Sequence, residues 1–104
     1  MIINCTPHAV NFFTDERVIT FEPCGLVPRL ETMYERIGDI DGMPLERRIT
    51  GEPTNMPEEV PDTRYIVSSM VASASNRTDL LVPDGFVRAD DGRIIGCTKW
   101  IVSN

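Results

Sequence analysis

The sequence predicts an α+β fold: a mostly antiparallel, curved β-sheet with one short helix near residues 69–76. Three observations carry this expectation. Short β-branched or alternating runs recur along the chain, separated by Pro, Gly and Asn, as strands and turns require. One stretch, Met70-Val71-Ala72-Ser73-Ala74-Ser75, is instead small and helix-tolerant, and Ser68 or Ser69 before it is a natural N-cap. Asp91-Gly92, between Phe86-Val87-Arg88 and Arg93-Ile94-Ile95-Gly96-Cys97, is the strongest hairpin signal in the chain.

The elements follow in order. Ile2 and Ile3 start a short strand, ended by Thr6-Pro7, because Pro7 fixes its own backbone and pushes Thr6 into an extended shape. Ala9 to Phe13 and Val18 to Glu22 form a hairpin around the turn Thr14-Asp15-Glu16-Arg17. Pro23-Cys24-Gly25 breaks it, and Val27 to Met33 alternates again. Residues 34–62 read as the least regular part, with one short strand over Met43 to Ile49. The proline-rich, acidic stretch Thr50 to Asp62 reads as a long surface loop, with a lid or a subunit-swapping arm as its functional alternatives. Arg64-Tyr65-Ile66-Val67 suits a buried strand. Asp79-Leu80-Leu81-Val82 is another, stopped by Pro83-Asp84-Gly85, so strand, helix and strand make a compact crossover that can be parallel. Thr98 to Val102 extends the last strand.

With 104 residues, the chain is one compact domain over residues 1–104, with the irregular loop at about 50–62. A chain this short buries a modest core, so a homo-oligomer with ligands held between subunits is expected. Ten basic against sixteen acidic residues give a net charge of −6, which argues against binding nucleic acid or anionic membranes. A small anionic ligand stays compatible, because nine of the ten basic residues are arginine, whose planar fork suits phosphate and carboxylate. Cys5, Cys24 and Cys97 are widely spaced, and with a single histidine they make no standard zinc site. No metal and no cofactor are expected. The N-terminus lacks a signal-peptide pattern, so a cytoplasmic location with reduced thiols is expected.

His8 is the only histidine and sits three residues from Cys5. A thiol nucleophile needs a base beside it, and no orienting acid or oxyanion donor accompanies this pair. His8 therefore reads as a ligand contact or a turn cap, and no catalytic residue is assigned. The expected ligand-binding set is Thr6, His8, Arg29, Ser68, Ser69, Arg77 and Arg88. The arginines would hold negative charge, the serines would sit at the helix start, and Thr6 with His8 would meet a sugar or base. For each arginine the alternative is a surface ion pair, and for the serines simple capping.

Asn4-Cys5-Thr6-Pro7-His8-Ala9-Val10 resembles the Asn-Leu-Thr-Pro-His-x-Val opening of small proteins encoded by tailed phages and prophages. Tyr65-Ile66-Val67-Ser68, Arg77-Thr78-Asp79-Leu80-Leu81-Val82-Pro83, and Val87-Arg88 with Gly92-Arg93-Ile94-Ile95-Gly96-Cys97 resemble their closing half. Cys5 stands where that pattern has leucine. The resemblance implies a phage accessory protein acting in the host cytosol. Among the jobs such proteins do, the polar residues favour sequestering a nucleotide-type immune signal, as an anti-defence sponge without catalysis. A protein-interaction or virion-assembly module, with the loop Glu52 to Asp62 as its contact, is the first alternative. A small His8-dependent hydrolase is the second.

Overall fold

A four-stranded sheet organises the molecule, and its two inner strands carry the most buried residues of any strands. The computed structural model describes residues 1–102. Ten strands and one helix are present among them: β1 Ile2–Asn4, β2 Val10–Phe13, β3 Val18–Phe21, β4 Thr32–Ile40, β5 Met43–Thr50, β6 Arg64–Ile66, α1 Ser69–Ser73, β7 Leu80–Asp84, β8 Val87–Arg88, β9 Ile94–Gly96 and β10 Lys99–Ile101. Strands and isolated bridges hold 47% of the described residues and the helix 5%, consistent with a small α+β or mostly-β fold.

The central sheet runs β1-β6-β7-β10. The β1–β6 and β6–β7 pairs are parallel, and β10 closes the edge antiparallel to β7. The expected mostly antiparallel sheet is therefore divided differently. Antiparallel pairing dominates in three separate two-stranded hairpins, β2–β3, β4–β5 and β8–β9, while the central sheet is largely parallel. A parallel strand covered on both faces needs continuous rather than alternating apolar residues. Tyr65, Ile66, Val67, Leu80 and Leu81 meet that need and are all buried.

The crossover between β6 and β7 carries α1. Ser68 caps it, its side chain accepting a hydrogen bond from the Val71 N–H at 3.3 Å. Val71 and Ala72 face inward, and with Cys5, Tyr65, Val67 and Leu80 they form the core. The helix stops at Ser73, short of the expected residue 76. Ser75 Oγ accepts from the Arg77 N–H at 3.2 Å, a local bond that competes with further helical turns. A smaller aromatic cluster joins the β2–β3 hairpin to β10, where Trp100 lies 4.9 Å from Phe12 and 5.8 Å from Phe21. Gly96 lets β9 approach β2, because a Cβ there would overlap the Phe13 ring and press on the Asn11 carbonyl.

Other expectations are corrected. Val27 to Met33 is not a strand: Arg29 alone pairs there, with Thr54, and β4 begins at Thr32. β7 continues through Pro83 to Asp84. Thr98 to Val102 does not extend β9; the chain turns at Thr98, and β10 joins the central sheet instead. The largest departure lies in residues 34–50: the expected short strand over Met43 to Ile49 is present as β5, but the stretch before it, expected to be irregular, is the strand β4, and the two form a long hairpin. Its two-residue turn, Asp41-Gly42, has positive φ at both positions (50° and 78°), the geometry that matches strand twist.

This hairpin is an arm. Every residue of both strands is exposed. It gives the molecule extents of 58 × 39 × 24 Å and a radius of gyration of 17.2 Å, against about 13 Å for a compact chain of this length. A bulge between Arg36 and Gly38 resets the register, so cross-strand pairs sort into two unlike faces. One carries Met33–Ile49, Glu35–Arg47, Gly38–Leu45 and Ile40–Met43; the other carries Thr32–Thr50, Tyr34–Arg48, Arg36–Glu46 and Asp39–Pro44. The first face is apolar apart from one charged pair, and its side chains lie in solvent, with Met33 67% and Met43 58% exposed.

Candidate functional site

The opening motif is a turn built around a buried asparagine. Asn4 is 2% exposed and bonded at every corner. Its Nδ2 donates to the His8 and Phe21 carbonyls, both at 2.8 Å. Its Oδ1 accepts from the Thr6 N–H at 2.9 Å and the Thr6 hydroxyl at 2.7 Å. Thr6 Oγ1 also lies 2.9 Å from the His8 carbonyl oxygen. The motif thus clamps the chain leaving β1 onto the end of β3, and the Thr6 hydroxyl is engaged in that clamp. The His8 residue is exposed, and its carbonyl is the atom the clamp uses.

Cys5 faces the core rather than His8. Its Sγ lies 3.6 Å from the Cys24 Sγ. Burial, then the contact with Cys24, pushes the Cys5 thiol up to about 12, which disfavours the thiolate a nucleophile needs. Cys97 is raised too, by burial. Cys5 and Cys24 are free but adjacent, with Cys24 exposed. Diamide, a thiol oxidant, is therefore expected to remove two of the three thiols counted by titration after denaturation. A count that stays at three, or a disulfide-linked dimer on a non-reducing gel, would contradict that pairing.

Arg77 is held by its own neighbours. Nε and Nη2 form a fork onto Asp79 at 3.0 and 2.7 Å, Nη1 donates to the Pro57 carbonyl, and Glu59 lies 3.4 Å away. The guanidinium also stands 5.8 Å from the centre of the Tyr65 ring. The Arg77 hydrogen bond holds Asp79 below the usual carboxylate range, against the opposing effect of burial. The same bond raises Arg77. Together with the Tyr65 hydroxyl, which donates to the Glu58 carbonyl at 2.7 Å, and the Arg29–Thr54 backbone pair, Arg77 fastens the 51–63 loop to the sheet. A loop fastened at these points is not built as a lid.

The remaining expected residues are dispersed. Arg88 donates to the Gly92 carbonyl at 2.9 Å and braces the β8–β9 turn. Arg29 is exposed. Ser68 caps α1, and Ser69 opens onto two grooves that flank the helix. The larger groove, about 620 Å³, lies between α1 and the foot of the arm, where Ser69, Ser73 and Thr50 offer hydroxyls beside Leu30 and Met70. The smaller, about 450 Å³, is walled by Val82, Pro83, Asp84, Phe86 and Ile101 on the far side of Ser69 and Ser73. Of the expected set, Ser69 alone lines the larger groove, and Arg29 is the chain neighbour of Leu30 in its wall. Thr6, His8 and Arg88 line neither groove. Leu30, Thr50 and Met70 were missed because they come from separate segments that only the placement of the arm's foot beside α1 brings together.

Among the described residues, no group of three His, Cys, Asp or Glu side chains gathers, and no helix is long and apolar enough to cross a membrane. No family model matches the chain, and neither the curated proteins nor the solved structures contain a match.

Proposed function

We propose that this protein binds and sequesters a small anionic ligand of nucleotide type, without transforming it, in the larger groove beside α1. The observation that carries the reading is the groove's make-up: about 620 Å³, inside the ordinary range for small-molecule sites, with the hydroxyls of Ser69, Ser73 and Thr50 interspersed with the apolar side chains of Leu30 and Met70. Leu30 and Met70 suit the flat face of a base, and Ser69, Ser73 and Thr50 suit the oxygens of a sugar or phosphate. Glu52 is the charged residue of the lining, so cations must come from its surroundings, such as Arg29 beside Leu30, or from another subunit. The resemblance of both chain ends to small phage proteins supports an accessory role in the host cytosol, where holding a nucleotide-type immune signal blunts defence.

The test is native mass spectrometry before and after incubation with lysate of phage-infected, defence-positive cells. The expected result is one small-molecule mass per site, released unchanged on heating and lost in Ser69→Glu. No added mass would sink the reading, and a ligand released in altered form would replace it with an enzyme.

The exposed apolar face of the arm favours a second reading, a protein-interaction module. The β4–β5 arm would then be a contact beside the loop Glu52 to Asp62, most of whose residues are also exposed.

A further inference from the structure

We infer that the β4–β5 arm of one copy seats in the smaller groove of a second copy, and that the two copies exchange arms about a twofold axis. The inference deepens the oligomer that the sequence anticipates, and it does not depend on the ligand.

The first argument is pattern. The arm's solvent-facing apolar surface consists of Met33, Ile40, Met43, Leu45 and Ile49, interrupted once, by Glu35 opposite Arg47. The body carries a surface of the same design. On β7 and β10, Val82 pairs with Ile101 and Asp84 pairs with Lys99, so these side chains share one face. Val82, Asp84 and Ile101 line the smaller groove, and Phe86, 49% exposed, stands at its side. Each surface thus holds one acid–base cross-strand pair amid apolar residues. Laid together, Arg47 meets Asp84 and Glu35 meets Lys99. Among the described residues, no ion pair within the chain engages any of these four charges. Like-charge or uncharged surfaces would not select each other in this way.

The second argument is area. A strand of nine residues at about 3.3 Å each is ~30 Å long, and a two-stranded ribbon is ~10 Å wide, so one face offers roughly 300 Å². A stable interface covers about 800 Å² on each partner. An unrelated protein covering the arm alone would reach less than half of that. A second copy gives an arm and receives one, which doubles the covered footprint on each chain to roughly 600 Å² before side-chain relief is counted. The self-complementary partner is the one that brings the arm near a stable interface. The seated arm also lies across Ser69 and Ser73, the residues common to both grooves, so the larger groove becomes a site between subunits.

The test is sedimentation equilibrium of the ligand-free full chain at micromolar concentration. The wild type is expected to be a dimer or a multiple of one. Leu45→Glu with Ile49→Glu on the arm, and Phe86→Glu in the seat, should each raise the dissociation constant about a hundredfold or more. Arg47→Glu should do the same, and adding Asp84→Arg to that chain should restore assembly. All of these residues are exposed or at a groove wall, and an unchanged circular dichroism spectrum confirms each variant's fold. A monomeric wild type overturns the inference. So does an oligomer indifferent to the arm variants. Loss with the arm variants but not with Phe86→Glu, and no rescue by Asp84→Arg, overturns the seat and points to arm-on-arm packing. Ligand capture by a monomer would leave the proposed function standing while this inference fails.

Discussion

Replacing Arg77 with alanine is expected to lower the melting temperature by roughly 8–24 °C. The change leaves Asp79, whose side chain is 16% exposed, without its fork of hydrogen bonds. It also frees the Pro57 carbonyl and removes the cation beside Tyr65. Losing the partner of a mostly buried charge costs about 2–3 kcal/mol, less than a fully buried pair would. At about 4–8 °C per kcal/mol for a domain of this size, that is the stated drop. The pH dependence has a definite sign. The folded-state value of Asp79 is depressed, so its contribution is present above the unfolded carboxylate value of about 3.9 and is lost as pH falls through the lower folded value. Thermal melts from neutral to strongly acid pH should therefore show a steep acid limb in the wild type and a shallower one in Arg77→Ala. A variant that melts like the wild type, or keeps the full acid limb, would contradict this account. The expectation also warns against reading lost ligand binding in Arg77→Ala as proof of a ligand contact.

Asn4→Ala is expected to be comparably damaging, while His8→Ala is nearly silent. Asn4 supplies two donated and two accepted bonds from a site that is 2% exposed. Its removal takes one of the donors from the Phe21 carbonyl and loosens the turn that carries Thr6 and His8. Several groups there can turn to water, so about 3 kcal/mol is expected rather than the sum of four bonds. The corresponding fall is roughly 12–24 °C. The exposed His8 ring should matter by about 0.5 kcal/mol or less. Urea titration of both variants checks the pair. If His8→Ala proved the more destabilising, the asparagine clamp would not be what the motif is for.

The sequence is legible where local chemistry and burial agree. Tyr65-Ile66-Val67 and Leu80-Leu81 announced buried strands because their runs are apolar without alternation. Ser68 announced the helix start, and Asp91-Gly92 the last hairpin. Asp41-Gly42 carries the same turn signal as Asp91-Gly92, yet of the arm only β5, expected over Met43 to Ile49, was legible, and β4 was not. The bulge at Ile37 shifts its alternation by one residue, so no single period of two runs through it. Nothing local reveals that β1 pairs in parallel with β6, because that contact joins residues about sixty positions apart. The site was the least legible part. A hydroxyl or guanidinium that braces a turn has the same chemistry as one that holds a ligand. Asp79, two residues after Arg77, was the cue that this arginine is already answered. The apolar charge-centred face of the arm could be read only after the bulge had fixed its register.

The parallel pairing of β1 with β6 also sets a schedule for synthesis. Ile2, Ile3 and Asn4 are made about sixty residues before their strand partners Arg64, Tyr65 and Ile66. At about 5–20 residues per second, the first strand waits roughly 3–12 s for its neighbour to be made. The β2–β3 and β4–β5 hairpins, whose partners are close in sequence, can form during that interval. The amphipathic arm is thus complete while the core it projects from is still missing. A nascent chain displays its most adhesive surface before it has a body, or the seat proposed for a partner's arm.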